Sequence, residues 1–188
     1  MTRIIGGSVG GRRIRAPEGA GTRPTSDRVR EALFSAVESA LGTLHGLRFL
    51  DLYAGSGAVG LEARSRGAVA VTLVEQDRRA ASVASGNVRS LGLDGVEVVR
   101  LPVARYLAAR PEVTSPFDVA FLDPPYALDD AAVLDDLEAL GRGWLLPGAL
   151  VVVERSSRGT GSTWPVGYDP LRARTYGETV LAYATWTG

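Results

Sequence analysis

The chain has 188 residues, 45% hydrophobic and 22% charged, a size and balance that suit one compact globular domain. It holds no cysteine and one histidine, which excludes disulfides, cysteine chemistry and a histidine metal cluster, so no metal is expected. Net charge is zero, but residues 1–30 carry seven arginines against Glu18 and Asp27, a net +5 that the remainder balances with −5.

No apolar run approaches a membrane span, and the first residues lack the apolar core of a signal peptide. A cytoplasmic protein with no membrane contact is therefore expected. The basic N-terminal segment points to an anionic partner, with nucleic acid first among them. Every basic residue is arginine, as a GC-rich genome would also give.

Residues 1–25 read as a basic Gly/Arg-rich arm or hairpin, with Ile4, Ile5 and Ile14 as its strand residues. Residues 26–188 read as the main domain. Ser26 caps a helix in which Val29, Leu33, Val37 and Leu41 recur every four residues. Strand and helix then alternate. Strands are expected over 47–54, 69–75, 96–101, 117–123 and 148–155, with helices over 60–67, 77–92, 104–110 and Asp129–Leu140. Near-continuous apolar strands separated by helices predict an α/β architecture, a parallel sheet covered on both faces. Residues 155–170 read as a loop beside the site. Residues 171–186 read as two strands joined at Gly177–Glu178, hence an antiparallel terminal hairpin on a sheet of seven strands.

"GSGAVG" (55–60) follows the first sheet strand and opens a helix, which is the G-x-G-x-x-G spacing of a nucleotide cradle. Gly55 serves the tight turn, Gly57 the approach of a ligand to the backbone, and Gly60 close helix packing. Glu75 stands 20 residues after Gly55, where it can accept hydrogen bonds from ribose hydroxyls. NAD and S-adenosylmethionine both carry such a ribose. Asp51, just before the loop, would repel a pyrophosphate but suits the ammonium and sulfonium of a methionyl cofactor.

"DPPY" closes the fourth strand, at the edge where open α/β sheets bind ligands. Pro124 and Pro125 form a stiff corner without N–H donors. Asp123 adds a carboxylate acceptor and Tyr126 a flat aromatic face. An exocyclic amino group on a base is a poor nucleophile because its lone pair is delocalised. Acceptors that grip its hydrogens favour a more tetrahedral nitrogen aimed at an electrophilic methyl. A stack on Tyr126, about 1–3 kcal/mol, is of the size needed to offset extruding the base. Asp129, Asp130, Asp135, Asp136 and Glu138 read as a solvated helix face, and Trp144, Trp164 and Trp186 as packing residues.

"DLYAGSGAVGLEA", "VEQD", "DPPY" and the terminal hairpin resemble the Rossmann-like class I S-adenosylmethionine-dependent methyltransferases. "RIIGGSVGGRRI", "TRPTSDRVREALFSAV" and "YGET" resemble the bacterial RsmD family, whose members methylate N2 of one guanine in small-subunit (16S) ribosomal RNA. The resemblance spans essentially the whole chain. It implies that Asp51, Tyr53, Gly55, Ser56 and Gly57 line the methionyl end of S-adenosylmethionine, with Glu75 on the ribose and Gln76 beside the adenine. It places Arg23, Thr25 and Arg28 near the cofactor and target base, and Asp123, Pro124, Pro125 and Tyr126 on the guanine. Arg3, Arg12, Arg13, Arg15 and Arg28 would meet RNA, in a small-subunit particle, from a monomeric enzyme. One departure stands out. Where relatives carry an acidic residue for the adenine, this chain reads "RLPVARYL", with Val103 or Ala104 at the position. Methylation of DNA adenine N6, cytosine N4 or protein glutamine remains open, as do an NAD-dependent oxidoreductase and a non-catalytic RNA-binding module.

Overall fold

Ile4 and Ile14 settle the form of the N-terminal arm. In the computed structural model, residues 2–17, 26–109, 115–158 and 163–188 are described. β1 (Thr2–Arg3) and β2 (Arg13–Ile14) pair antiparallel, and both isoleucines are buried in the main core. Over residues 2–15 the arm is thus a docked hairpin. Gly7 makes the docking possible, since a Cβ there would lie 1.9 Å from the Ser65 carbonyl oxygen.

α1 (Asp27–Leu41) begins where the Ser26 hydroxyl accepts the Val29 N–H at 3.3 Å, and it buries Val29, Leu33, Phe34 and Val37. The alternation then runs β3 (Arg48–Leu52), α2 (Ala58–Ser65), β4 (Ala70–Val74), α3 (Arg78–Leu91), β5 (Val96–Val99), α4 (Val103–Ala108), β6 (Phe117–Leu122) and α5 (Asp130–Leu140). β7 (Leu145–Ser156), β8 (Tyr168–Tyr176) and β9 (Thr179–Trp186) complete the chain. β7 starts three residues before its expected onset, and its pairing with β6 shifts register between Phe117 and Val119. β8 starts at Tyr168, so the end of the expected 155–170 loop is strand.

The seven main strands lie in the order β5-β4-β3-β6-β7-β9-β8. β3 pairs parallel with β4 and β6, β4 with β5, and β6 with β7, while β9 runs antiparallel to both β7 and β8. The chain starts at the centre, builds outward to β5, and crosses back to β6. The C-terminal ends of β3 and β6 therefore flank the switch point, where such sheets bind ligands.

The period-2 alternation divides the core. Phe49, Val71, Phe121 and Val152 face α1, α2 and α3, whereas Leu50, Val74, Leu122 and Val153 face α4 and α5. Trp144 is buried on the second face, its indole N–H donating to the Leu107 carbonyl at 3.2 Å. Trp164 and Trp186 pack around Tyr168.

Candidate active site

β3 ends in a cradle built by backbone hydrogen bonds. The Ala54 N–H donates to the Val74 carbonyl at 3.0 Å and the Gly57 N–H to the Ala54 carbonyl at 2.7 Å. Tyr53 has φ of 64°, the one positive value among described non-glycine residues, and its hydroxyl donates to the Asp136 carboxylate on α5. Asp136 is buried, so the expectation of a solvated acidic face fails at this residue. It follows Val133 and precedes Leu137 and Leu140 on the apolar stripe of α5, a spacing legible in the sequence.

The three glycines differ in what a side chain would meet. Gly55 has φ of 56° and its absent Cβ opens onto empty space. Gly57 has φ of 79°, and a Cβ there would meet Leu73 at 2.8 Å, so close packing on the sheet also requires a glycine at this position. A Cβ on Gly60 would stand 2.2 Å from Leu73 and 3.2 Å from the Asp51 carboxylate. Gly55 is thus where the loop leaves open space beside bare backbone, and such an opening fits a nucleoside-bearing group that a side chain would displace.

Asp51 is 1% exposed and accepts the Gly60 N–H at 2.8 Å, which caps α2. Burial, with a smaller contribution from the Glu75 charge, raises its carboxyl to about 7 against the opposing Gly60 bond. Glu75 takes the Gly55 N–H at 2.8 Å on one oxygen and the Asp77 N–H at 2.7 Å on the other. Each oxygen retains a lone pair that ribose hydroxyls could meet. Ser56 is buried, and Gln76 is exposed beside Glu75. Val103 is 4% exposed, packed with Leu107 against the sheet, so no carboxylate can reach an adenine from there.

The Asp123 N–H donates to the Leu52 carbonyl at 3.3 Å, which splices the end of β6 to the end of β3. Pro124 is buried, Tyr126 is 60% exposed, and the Pro125 carbonyl accepts the Leu128 N–H at 2.8 Å. The Pro125 carbonyl is therefore engaged within the turn. By alternation Asp51, Asp123 and Glu154 lie on one sheet face, after Phe49, Phe121 and Val152. Burial first, then the charges of Glu154 and Asp51, holds the Asp123 carboxyl well above the usual range, and Arg155 opposes the rise. Glu154 and Arg155 were not singled out from the sequence. Their signal was the "VVVER" run, in which Glu154 shares the face of Val152. Arg155 holds the turn beyond Tyr126 through the Leu128 carbonyl at 3.1 Å and Asp130 at 2.8 Å.

Of the expected RNA contacts, Arg3, Arg13, Arg15 and Arg28 present exposed side chains. Arg3 lies 3.6 Å from Asp27. The Arg12 guanidinium is engaged by the Leu91 carbonyl at 2.9 Å and by that of Ser90. Arg30, counted in the basic segment, is fully buried. Arg23 and Thr25 lie outside the described residues. Among the described residues no acidic or histidine cluster could hold a metal, and no helix is long and apolar enough to cross a membrane.

A central parallel sheet with this strand order and a reversed β9 defines a class I S-adenosylmethionine-dependent methyltransferase. Comparison with known proteins narrows this. Residues 2–185 match the family described as Conserved hypothetical protein 95. The chain is 35% identical over 180 residues to Ribosomal RNA small subunit methyltransferase D of Escherichia coli, covering 94% of this chain and 85% of that one. A structure from Escherichia coli described as a methyltransferase superposes with TM-score 0.85 and 32% identity, covering 98% and 97% of the two chains. A hypothetical protein of Thermus thermophilus superposes with TM-score 0.80 and 39% identity over 97% and 98%. The chain belongs to this family, that of ribosomal RNA small subunit methyltransferase D, RsmD.

Proposed function

We propose that this chain transfers a methyl group to the exocyclic N2 amino group of a guanine in small-subunit ribosomal RNA. The observation that carries the reading is the placing of Asp123. It stands against the end of β3, on the sheet face that also carries Asp51 and next to the glycine cradle. Asp51, Gly55 and Glu75 would hold S-adenosylmethionine, with Tyr53 and Ser56 shaping the methionyl end. When bound, this cofactor supplies an electrophilic methyl on a sulfonium.

The protein's task is then to align a weak nucleophile, which can lower the barrier without covalent catalysis. The Asp123 carboxylate and the Pro124 carbonyl accept the two amino hydrogens of the base. The bound cofactor would supply the methyl and take the displaced electron pair on its sulfur, so no group of this chain need bond to carbon. The proton lost from nitrogen passes to Asp123, whose raised pKa lets it keep that proton. Tyr126, at the exposed rim, stacks on the flipped base. The docked hairpin is short, so an assembled small-subunit particle supplies the rest of the recognition surface to a monomeric, cytoplasmic enzyme.

The test is labelled methyl transfer to small-subunit particles, naked ribosomal RNA and DNA, with the modified nucleotide mapped. A single N2-methylguanine is expected. Modification of DNA, of protein or of another base position would overturn the assignment. Asp123→Ala should lower transfer by about 100-fold or more. Its S-adenosylhomocysteine affinity by calorimetry should stay within about threefold, because the cradle is left intact. Persistent transfer would sink the role given to Asp123.

A further inference from the structure

Asn87 lies on the buried stripe of α3, in line with Ala80, Ala84 and Leu91, and is 2% exposed. An apolar side chain would satisfy the packing there, so the amide has another task. Its Oδ1 accepts the Arg15 N–H at 2.9 Å. Its Nδ2 donates to the Arg15 carbonyl at 3.0 Å and to the Ser56 carbonyl at 3.0 Å. Both amide hydrogens are thereby used, and the orientation follows from the partners, since a flipped amide would set its oxygen against two carbonyls.

One side chain therefore closes a bridge between two separate parts of the molecule. Ser56 belongs to the glycine cradle. Arg15 ends the hairpin, one residue after the buried Ile14, with its own side chain exposed. The Arg12 guanidinium grips the C-terminal carbonyls of the same helix, so α3 holds the hairpin at two points, but only the Asn87 point touches the cradle.

We infer that Asn87 is a positioning residue that couples cofactor binding to RNA binding by fixing the cradle and the hairpin in one register. The inference rests on the reading that the cradle holds S-adenosylmethionine and the hairpin meets RNA. Order imposed on the cradle by the cofactor is passed to Arg15, and order imposed on the hairpin by RNA is passed back. Such coupling is reciprocal, and a factor of about five or more is its usual size.

The experiment measures S-adenosylhomocysteine affinity by calorimetry, with and without saturating small-subunit particles. In the unaltered protein the product should bind about fivefold tighter with particles present. Asn87→Leu, which keeps the volume and loses the bridge, should bring that factor close to one. It should raise KM for both substrates while leaving kcat within about threefold, because the bridge touches neither reacting atom. Arg12→Met, which cuts the other tie of the hairpin to α3, should preserve the coupling. Hydrogen exchange on the unaltered protein gives a reading independent of any variant's folding. S-adenosylhomocysteine should slow exchange of the Arg15 amide. Coupling undiminished in Asn87→Leu, equal affinities with and without particles, or an Arg15 amide indifferent to the product would each overturn the inference. Failure of the unaltered protein to methylate ribosomal RNA at all would instead remove the functional reading beneath it, and transfer assays report that separately.

Discussion

Asp51 links the chemistry of the site to pH. Its carboxyl is buried at the end of β3 and titrates near 7, far above the 3.8 of an exposed aspartate. Between those values the folded state binds more protons than the unfolded state. Its contribution to stability is therefore full below about 4 and is lost as pH rises toward 7. The cationic ammonium of a methionyl ligand favours the ionised carboxylate, so binding should release a proton. Calorimetry of S-adenosylhomocysteine near pH 6.5, in buffers of different ionisation enthalpy, should show that release, and affinity should climb from pH 6 to 8. Asp51→Asn should abolish both effects. Equal heats in all buffers would separate Asp51 from the ligand and leave it only the capping of Gly60. The sequence placed Asp51 and Asp123 correctly at strand ends. It could not show that Gly57 faces Leu73 or that the Pro125 carbonyl is taken, because both depend on how neighbouring elements approach.

At the scale of elements, Glu62 decides how the hairpin docks. This α2 residue is fully buried and accepts the Ile5 N–H at 2.7 Å and the Gly6 N–H at 2.9 Å. Arg66 pairs with it at 2.8 Å and the buried Arg30 lies 3.7 Å away, so hairpin, α1 and α2 meet on one carboxylate. Glu62→Gln would leave Arg30 with Asp27, at 3.0 Å, as its one acidic partner among the described residues and would turn an N–H toward backbone donors. Breaking one side of a buried pair costs about 3–5 kcal/mol. Urea unfolding should register a loss of that order, and limited proteolysis should cut within residues 2–15 before the rest of the chain. A change below about 1 kcal/mol would show that the isoleucines alone hold the hairpin. None of this was visible to charge counting, which treats Arg30 and Arg13 alike. The helical period contained the answer in part, since Arg30, Phe34 and Val37 share a stripe just as Val133, Asp136 and Leu140 do. A polar residue on such a stripe marks a buried partner more often than a solvated face.

At the scale of the molecule, apolar strands alternating with helices gave away the parallel sheet, because a strand covered on both faces has no polar side to display. Strand order is another matter. Nothing local says that β6 returns to the centre beside β3, and that return brings Asp123 to the cradle. The likeness of "DPPY" and the glycine loop to methyltransferase motifs carried that information where periodicity could not. Charge is likewise a property of the whole surface. Of the N-terminal arginines, burial removes Arg30 and the end of α3 engages the exposed Arg12, which leaves Arg3, Arg13, Arg15 and Arg28 as the exposed cations of the described arm and first helical turn that are not tied to α3. Four phosphate contacts to single-stranded RNA would contribute about 3 to the slope of log affinity against log salt. Replacing all four by glutamine should therefore flatten that slope by up to about 3. RNA affinity should fall most at low salt, while S-adenosylhomocysteine affinity stays within about twofold, because the Asn87 bridge grips the backbone of Arg15 and not its side chain. A slope unchanged between 50 and 200 mM salt would mean that these arginines merely solvate the hairpin and that RNA lies against another face.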